Sequence, residues 1–468
     1  MKKLISIFCS VFLIAQAFCQ SKNSIKNGTI LHCWCWSFKT IEENLPQIAQ
    51  AGFTAIQTSP INTCLVGEDG GLELFGKGGK RGKWYYHYQP TDWKIGNYQL
   101  GSRDDFISMC KKAHSLGIGV IVDVLPNHTT PQKSALSDDF VKACGGLEKL
   151  YHHNSTLPLI NFASRLQATT YSMGGLPDVN TENPLFQQYF MAFMNDAIDC
   201  GANGFRFDTS KHIGLPDDPL DPYSEKNNFW PVFTGKEAIY GELLHNASNL
   251  FLYGEVLQGE NSREKDYANF ISVTASYYGV TVRSQIKGDG LSSKHLANWR
   301  NEAGGEKLVT WVESHDTYAN AGESAKLTNW QIRKGWAIIT ARKGGTPLFF
   351  SRPKGAEATQ FPGESKIGDA GNDEYKNAEV VALNKFRVAM TGADERLFNA
   401  DEEKKILCIE RGDKGIVIIN SDSKPYKLKS SVELKDGAYT DKAHGLTFKV
   451  KNGVLTGKID AEKICVIY

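Results

Sequence analysis

Gly204-Phe205-Arg206-Phe207-Asp208 reads as a short buried strand ending in a carboxylate, and the segment before it reads as the helix that feeds it. Asn183 is placed to cap that helix, Pro184 takes the first helical position, where its missing N–H costs nothing, and Gly201 stops the helix. Along the strand Arg206 and Asp208 project to one side, Phe205 and Phe207 to the other, toward surrounding helices. A guanidinium two residues away favours the ionised form of the Asp208 carboxyl.

The same alternation extends in both directions. Residues 29–36 are strand-like, and Thr40 with Glu43 predicts a capping box for a helix that carries Ile41, Leu45 and Ile48 on one face and stops at Gly52. Residues 53–58 form the next strand, 106–116 a helix, and Gly119-Val120-Ile121-Val122-Asp123 a continuous apolar run of the kind buried parallel strands show. Further strands are predicted at 250–254, 307–312 and 347–351, with helices at 329–342 and 378–390. Such βα alternation implies a parallel sheet, and its length favours closure into an α/β (β/α)8 TIM barrel. With roughly 30 residues per unit, the about 60 residues from Glu255 to Asp316 hold two units, placing them after strands five and seven if Asp208 follows strand four. The about 85 residues from Asp123 to Asp208 exceed one unit, and the surplus is assigned to an irregular inserted subdomain after strand three.

Beyond residue 391 the pattern changes to short alternating runs at 406–409, 415–419, 431–434, 446–450, 453–455 and 464–468, with Asp436-Gly437 and Asn452-Gly453 as hairpin turns. The expected organisation is a signal peptide at 1–19, a barrel at 20–127 and 178–391, the inserted subdomain at 128–177, and a C-terminal antiparallel β-sandwich at 392–468.

Composition narrows the partners. The chain has 468 residues, with 53 basic against 52 acidic side chains and a net charge of +1, so bulk electrostatics favours neither nucleic acid nor an anionic membrane. A neutral partner is expected. Met1-Lys2-Lys3 followed by an apolar run to Ala17 reads as a secretory leader, shorter than the roughly 20 residues a membrane span requires. A secreted protein, extracellular or periplasmic, is therefore expected, free of the membrane once the leader is removed. Eight cysteines follow the leader, and no CxxC pair recurs to suggest zinc. Cys33 and Cys35 alternate on a strand-like run and would face one side, badly placed to bridge each other, so buried thiols are expected. Gly78-Gly79-Lys80-Arg81-Gly82-Lys83 lacks the Ser or Thr of a phosphate loop and reads as a rim loop.

Two further strand ends carry acids, Tyr253-Gly254-Glu255 and Trp311-Val312-Glu313-Ser314-His315-Asp316. Retaining cleavage of a glycosidic bond needs one carboxylate as nucleophile and another as proton donor about 5 Å away, converging from different strands. Glu255, crowded by other carboxylates, suits the donor, because repulsion and desolvation hold its proton. In this order, with Arg206 before Asp208 and His315 before Asp316, the chain resembles the alpha-amylase family, glycoside hydrolase family 13. The resemblance spans residues 27–468 and is closest to secreted bacterial members of the Bacillus subtilis type. The run Gly204 to His212 looks like that family's nucleophile segment, with Lys211-His212 typical of alpha-amylases proper.

The resemblance implies catalytic roles for Asp208 (nucleophile), Glu255 (acid/base) and Asp316 (third carboxylate). It implies substrate contacts from Trp84, Tyr85, Tyr88, Gln89, His128, Arg206, Lys211 and His315. Asp123-Val124-Leu125-Pro126-Asn127-His128 and Gly175-Leu176-Pro177-Asp178 resemble segments that bind calcium, implying Asn127, Asp178 and the carbonyls of Thr169 and His212 as ligands; calcium takes oxygen donors of this kind. Ser314 stands where chloride-activated members carry asparagine, which argues against chloride activation. The expected activity is endo-hydrolysis of α-1,4 bonds in starch and malto-oligosaccharides by a monomer. An exo-acting maltose-releasing hydrolase, a transglycosylase or an inactive sugar-binding relative are the alternatives.

Overall fold

The computed structural model describes residues 22–67, 71–75, 82–288, 290–357 and 362–468. The expected leader at 1–19 and the rim residues 78–81 lie outside the described residues. Eight parallel strands close a barrel: β1 (Ile30–Cys33), β2 (Ala55–Thr58), β3 (Gly119–Val124), β4 (Gly204–Phe207), β5 (Phe251–Gly254), β6 (Ser272–Thr274), β7 (Leu308–Trp311) and β8 (Thr346–Phe350), with β8 paired back to β1. A helix follows each strand in turn: α1 (Phe38–Gln50), α2 (Arg103–Ser115), α3 (Pro184–Cys200), α4 (Phe229–Phe233), α5 (Glu264–Tyr267), α6 (Ser276–Lys287), α7 (Asn329–Ala341) and α8 (Ala378–Ala389).

Strand periodicity sorts the side chains. Leu31, Ile56, Val120, Val122, Phe205, Phe207, Leu252 and Phe349 point outward into one core shared with the helices. Ile30, Ala55, Ile121, Phe251, Tyr253, Val309, Trp311 and Leu348 fill the barrel interior as a second cluster. The register sets Asp123 beside Arg206 and Arg206 beside Tyr253, so continuing the inward parity by one step brings Asp208 and Glu255 to the same mouth. Helix α1 buries Phe38, Ile41, Leu45 and Ile48 completely, worth roughly 1.5–3 kcal/mol apiece.

Most expected elements appear, with shifts that have local causes. The first helix begins a turn earlier than the Thr40–Glu43 pair suggested, because Ser37 is the N-cap and accepts from Thr40 N at 3.1 Å. Strand β1 stops at Cys33: Trp36 N bonds back to Cys33 O, and Cys35 sits at φ 62°. Cys33 and Cys35 therefore do not share a face, contrary to expectation; Cys33 joins the helix-side core and Cys35 the aromatic cluster around Trp34 and Trp84. All eight described cysteines are free and buried. Between β3 and β4 the chain carries three short helices, Asp138–Ala143, Leu147–Leu150 and Arg165–Thr170, before α3, which Asn183 and Gly201 bound as read.

The C-terminal part is a sandwich of two four-stranded antiparallel sheets. One has the order β9 (Arg396–Asn399), β10 (Ile406–Arg411), β11 (Gly415–Asn420), β16 (Lys463–Ile467); the other β12 (Tyr426–Ser431), β15 (Val454–Ile459), β14 (Thr447–Lys451), β13 (Gly437–Thr440). Ile406, Cys408, Ile416 and Ile418 meet Leu428, Phe448, Val450 and Leu455 between the sheets. The opposite face of the first sheet, Leu407, Ile409, Val417 and Ile419, packs into the barrel core. Asn452-Gly453, both at positive φ, turns the hairpin between β14 and β15 as expected. Asp436-Gly437 does not: Gly437 opens a strand, and the Asp436 carboxylate accepts from Asn452 N and Gly453 N. Among the described residues no helix is long and apolar enough to cross a membrane.

Candidate active site

One guanidinium organises the barrel mouth. Arg206 Nη1 donates to both oxygens of Asp123 and to Asp208 Oδ1, each at 2.7 Å, while Nη2 donates to Glu255 Oε2 at 2.8 Å. The two nitrogens of a guanidinium are about 2.3 Å apart, so Asp208 Oδ1 and Glu255 Oε2 lie within about 8 Å of each other.

Local backbone geometry makes this convergence. Thr209, just past Asp208, adopts a left-handed conformation at φ 47°, and its N–H donates to Glu255 Oε2 at 3.1 Å. Strain of this kind at a non-glycine residue belongs to sites whose surroundings over-determine them. Gly254 is required for a different reason: a Cβ there would stand 2.2 Å from Ser210 Oγ. Asp316 opens a single π-helical turn, Asp316–Asn320, closed by Ala321 N to Asp316 O at 2.7 Å, a feature that sequence reasoning missed. Its carboxylate faces His315 Nε2 at 3.4 Å and is more exposed than those of Asp208 and Glu255.

Burial and mutual repulsion set the protonation states. Glu255 is pushed above the usual carboxylate range by burial, with Asp208 and Asp316 adding to the rise, against the pull of Arg206 and the Thr209 N–H. Asp208 also moves upward: burial outweighs the pull of Arg206, so the expected net stabilisation of its ionised form by Arg206 alone is not what the site has. Asp123, fully buried, is raised to about 7 by burial first, although Arg206 and Tyr88 pull it down. Three carboxyls on one cation leave surplus negative charge, and a shared proton relieves it. Burial lowers His315 to about 3 and His128 to about 4, so both rings are neutral hydrogen-bonding groups.

A cleft of about 440 Å³ is lined by Asp208, Glu255 and Asp316 together with Trp84, Tyr85, Tyr88, Gln89, His128, Lys211, His212 and His315. Tyr88 stacks on His315 with centroids 5.1 Å apart and donates its hydroxyl to Asp123 Oδ2 at 2.9 Å. Arg206, expected to touch substrate, commits both Nη atoms to the acids and borders the cavity behind Glu255. Sequence reasoning also missed His32 and Gln57, which take the mouth positions of β1 and β2 and border the adjoining cavity behind Glu255. Their signal was the inward parity of their strands, invisible until strand register is known.

The residues expected to hold calcium form two pairs. Asn127 Nδ2 lies 3.2 Å from Asp178 Oδ2, and a backbone bridge ties His128 to Asp178. Thr169 is in the last turn of the helix Arg165–Thr170, where carbonyls lack helical partners, and the His212 ring bonds Ala168 O at 2.8 Å. The buried Asp178 carboxyl, raised to about 7 by burial, also bonds His152 Nδ1 at 2.6 Å, whose Nε2 reaches Glu182 at 2.8 Å. An oxygen set with one carboxylate, one amide and helix-end carbonyls fits a calcium ion, with His152 and Glu182 orienting Asp178 from behind. His152 and Glu182 were not singled out from the sequence. Among the described residues no group of three or more His, Cys, Asp and Glu is arranged to hold a metal.

Known proteins resemble this chain along nearly its whole length. The family profile described as "Alpha amylase, catalytic domain" matches residues 16–152. An alpha-amylase from Butyrivibrio fibrisolvens is 46% identical over 96% of this chain and 48% of its own length, and one from Clostridium acetobutylicum 37% identical over 95% and 54%. The chain thus spans about half the length of these two relatives. Among solved structures, alpha-amylase I from Eisenia fetida superposes with a TM-score of 0.75 at 18% identity, covering 96% of this chain and 98% of the other; an Anoxybacillus alpha-amylase does so with 0.71 at 20%, covering 95% and 98%. Relatives this similar along nearly the whole chain, and the ordered acids at the mouth of a closed barrel, lead to one assignment: the chain belongs to the alpha-amylase family, glycoside hydrolase family 13.

Proposed function

We propose that this protein is a secreted alpha-amylase that hydrolyses internal α-1,4 bonds of starch and malto-oligosaccharides with retention of configuration. The observation that carries the reading is the gathering of Asp208 and Glu255 by one buried guanidinium, Arg206, in the lining of an open cleft. Asp208 Oδ attacks the anomeric carbon while Glu255 gives its proton to the departing glycosidic oxygen, leaving a glycosyl ester on Asp208. Glu255, now ionised, takes a proton from water; the water oxygen bonds to the anomeric carbon and the Asp208 carboxylate leaves. Asp316, His315 and His128 grip the ring at this centre. Trp84, Tyr85 and Tyr88 offer apolar faces, and Gln89 and Lys211 polar contacts, along the glucan. Residues 128–177 serve as the subdomain that walls the cleft. Bound calcium would supply positive charge and rigidity at that wall through Asn127, Asp178, Thr169 and His212; it takes no part in bond making.

Soluble starch tests all of this together. The parent enzyme is expected to lose iodine colour early relative to reducing ends released, the mark of internal cleavage, and to release α-anomeric products in a proton NMR time course. Asp208→Asn should lower kcat by at least about 10⁴-fold. Near-normal turnover in that variant would remove the nucleophile assignment, and β-anomeric first products would remove retention. A chelator should lower the melting temperature, with recovery on adding calcium and not magnesium.

A further inference from the structure

Outside the cleft, a groove of about 930 Å³ runs along the outer side of the segment 147–185 and is bordered by Tyr223 and Tyr240 from the β4–β5 connection. These are two of the most exposed aromatic rings in the described structure, 57% and 62% accessible. Neither is left loose. Tyr223 OH bonds His153 Nδ1 at 3.0 Å, and the two rings meet edge to face with centroids 5.1 Å apart, which fixes the tyrosine and leaves its ring open.

Tyr240 is held in a more telling way. Ile239 and Glu242 exchange N–H and C=O bonds at 2.9 Å, so Tyr240 and Gly241 form the tip of a two-residue loop, with φ of 48° and 87°. Loops of this form demand the left-handed region at both tip positions and take Asn or Gly there. A bulky tyrosine at that position costs about 1 kcal/mol, and with more than half its surface in water it gains little from packing. Strain retained at an exposed ring is a feature of ligand-gripping positions. The groove adds the hydroxyl and amide groups of Ser155, Thr156, Asn180 and Asn183, with Lys133, Glu148 and Lys149 also on its border. Flat apolar faces beside hydroxyl and amide groups suit a polyhydroxylated chain.

We infer that this groove is a second glucan-binding site, where Tyr223 and Tyr240 stack against sugar rings of a polymer whose scissile bond lies in the cleft. The inference rests on the glucan-hydrolase reading. The groove backs onto the His152–Asp178 contact that orients the wall of the cleft, so one long chain can engage both faces of that wall.

The test compares the full-length parent with Tyr223→Ala, Tyr240→Asn and the double variant. Tyr240→Asn supplies the residue that the left-handed tip prefers, so it removes the ring while keeping or raising the melting temperature. Retardation in native gels containing glycogen should weaken on the order of tenfold in the double variant, residual affinity being that of the cleft. At the same time kcat/KM on maltoheptaose stays within twofold of the parent, and KM on soluble starch rises. Unchanged glycogen retardation in the double variant overturns the site. So does an equal loss on maltoheptaose and starch, which would report damage to the cleft. A parent that neither cleaves maltoheptaose nor is retarded by glycogen would instead overturn the glucan reading itself.

Discussion

Two buried arginines near the barrel mouth hold carboxylates in opposite ways. Arg352 meets one partner: Nε and Nη2 grip the two oxygens of Glu313 at 2.8 Å each, and its remaining donors go to Leu327 O and Ser324 O. Every charge there is matched, as a buried ion pair must be if it is not to destabilise the fold. Arg206 instead serves Asp123, Asp208 and Glu255 together. A matched pair has nothing left to exchange and works as a structural rivet. An acid-rich cluster keeps a proton that it can surrender, and that is the property general acid catalysis needs.

Replacing each arginine in turn separates the two roles most sharply. Lysine is a point charge and cannot hold three carboxylates in one fork. Arg206→Lys should cut kcat by about 10³-fold, the scale seen when a preorganised electrostatic partner is lost, with a small change in melting temperature. Arg352→Met, which leaves Glu313 buried without its partner, should destabilise by about 3–5 kcal/mol while folded enzyme at low temperature keeps most of its activity. Activity assays on the two variants beside denaturant melts would decide; equal activity losses would erase the distinction.

The next effect lies in pH. Glu255 and Asp208 both titrate above the ordinary carboxylate range, chiefly through burial. Activity should fall on the alkaline side as Glu255 gives up the proton it must donate, and on the acid side as Asp208 is protonated. For stability the sign follows from Glu255 binding its proton more tightly folded than unfolded. That contribution is complete below the unfolded value and is lost as pH rises through the raised folded one. Glu255→Gln escapes the loss, so its melting temperature should exceed that of the parent by a margin that grows as pH rises above the ordinary glutamate range. A margin independent of pH would show that Glu255 is ionised throughout.

How much of this could be read in advance follows from range. The acids announced themselves because each closes a short apolar strand, a local pattern, and β-strand parity then predicted that Arg206 and Asp208 share a side. That Arg206 would also take Asp123 and Glu255 depends on the registers of three strands, and no local pattern holds those. The first sheet of the sandwich, buried on both faces, shows continuous apolar runs such as 415–419. Strand β12, Tyr426-Lys427-Leu428-Lys429-Ser430-Ser431, has only Leu428 fully covered and was invisible, the expectation falling on 431–434 instead. Cys35 and Thr209 turn left-handed without the Gly or Asn that would signal it, because packing and site geometry hold them there. His152 was hidden for the same reason as Arg352: its partners Asp178 and Glu182 lie about 25–30 residues away across irregular chain.

The smallest test refines the acid-rich cluster from its edge. Tyr88 does two things, stacking on His315 and donating its hydroxyl to Asp123. Tyr88→Phe keeps the stack and deletes the donor. The hydroxyl is one of the groups that hold Asp123 down against burial, so its loss pushes that carboxyl further up and weakens its claim on Arg206. The acidic limb of the kcat/KM profile, set by Asp208, should then move to lower pH, because Arg206 is freer to hold Asp208 ionised and Asp123 repels it less, and the optimum rate should fall by about three- to tenfold, the scale of one hydrogen bond to a buried charge. KM should hardly change, because the ring face remains. Tyr88→Leu, which loses the stack as well, should add a rise in KM. If Tyr88→Phe raised KM and left the pH profile in place, the hydroxyl would be a substrate contact, and the cluster would end at Asp123.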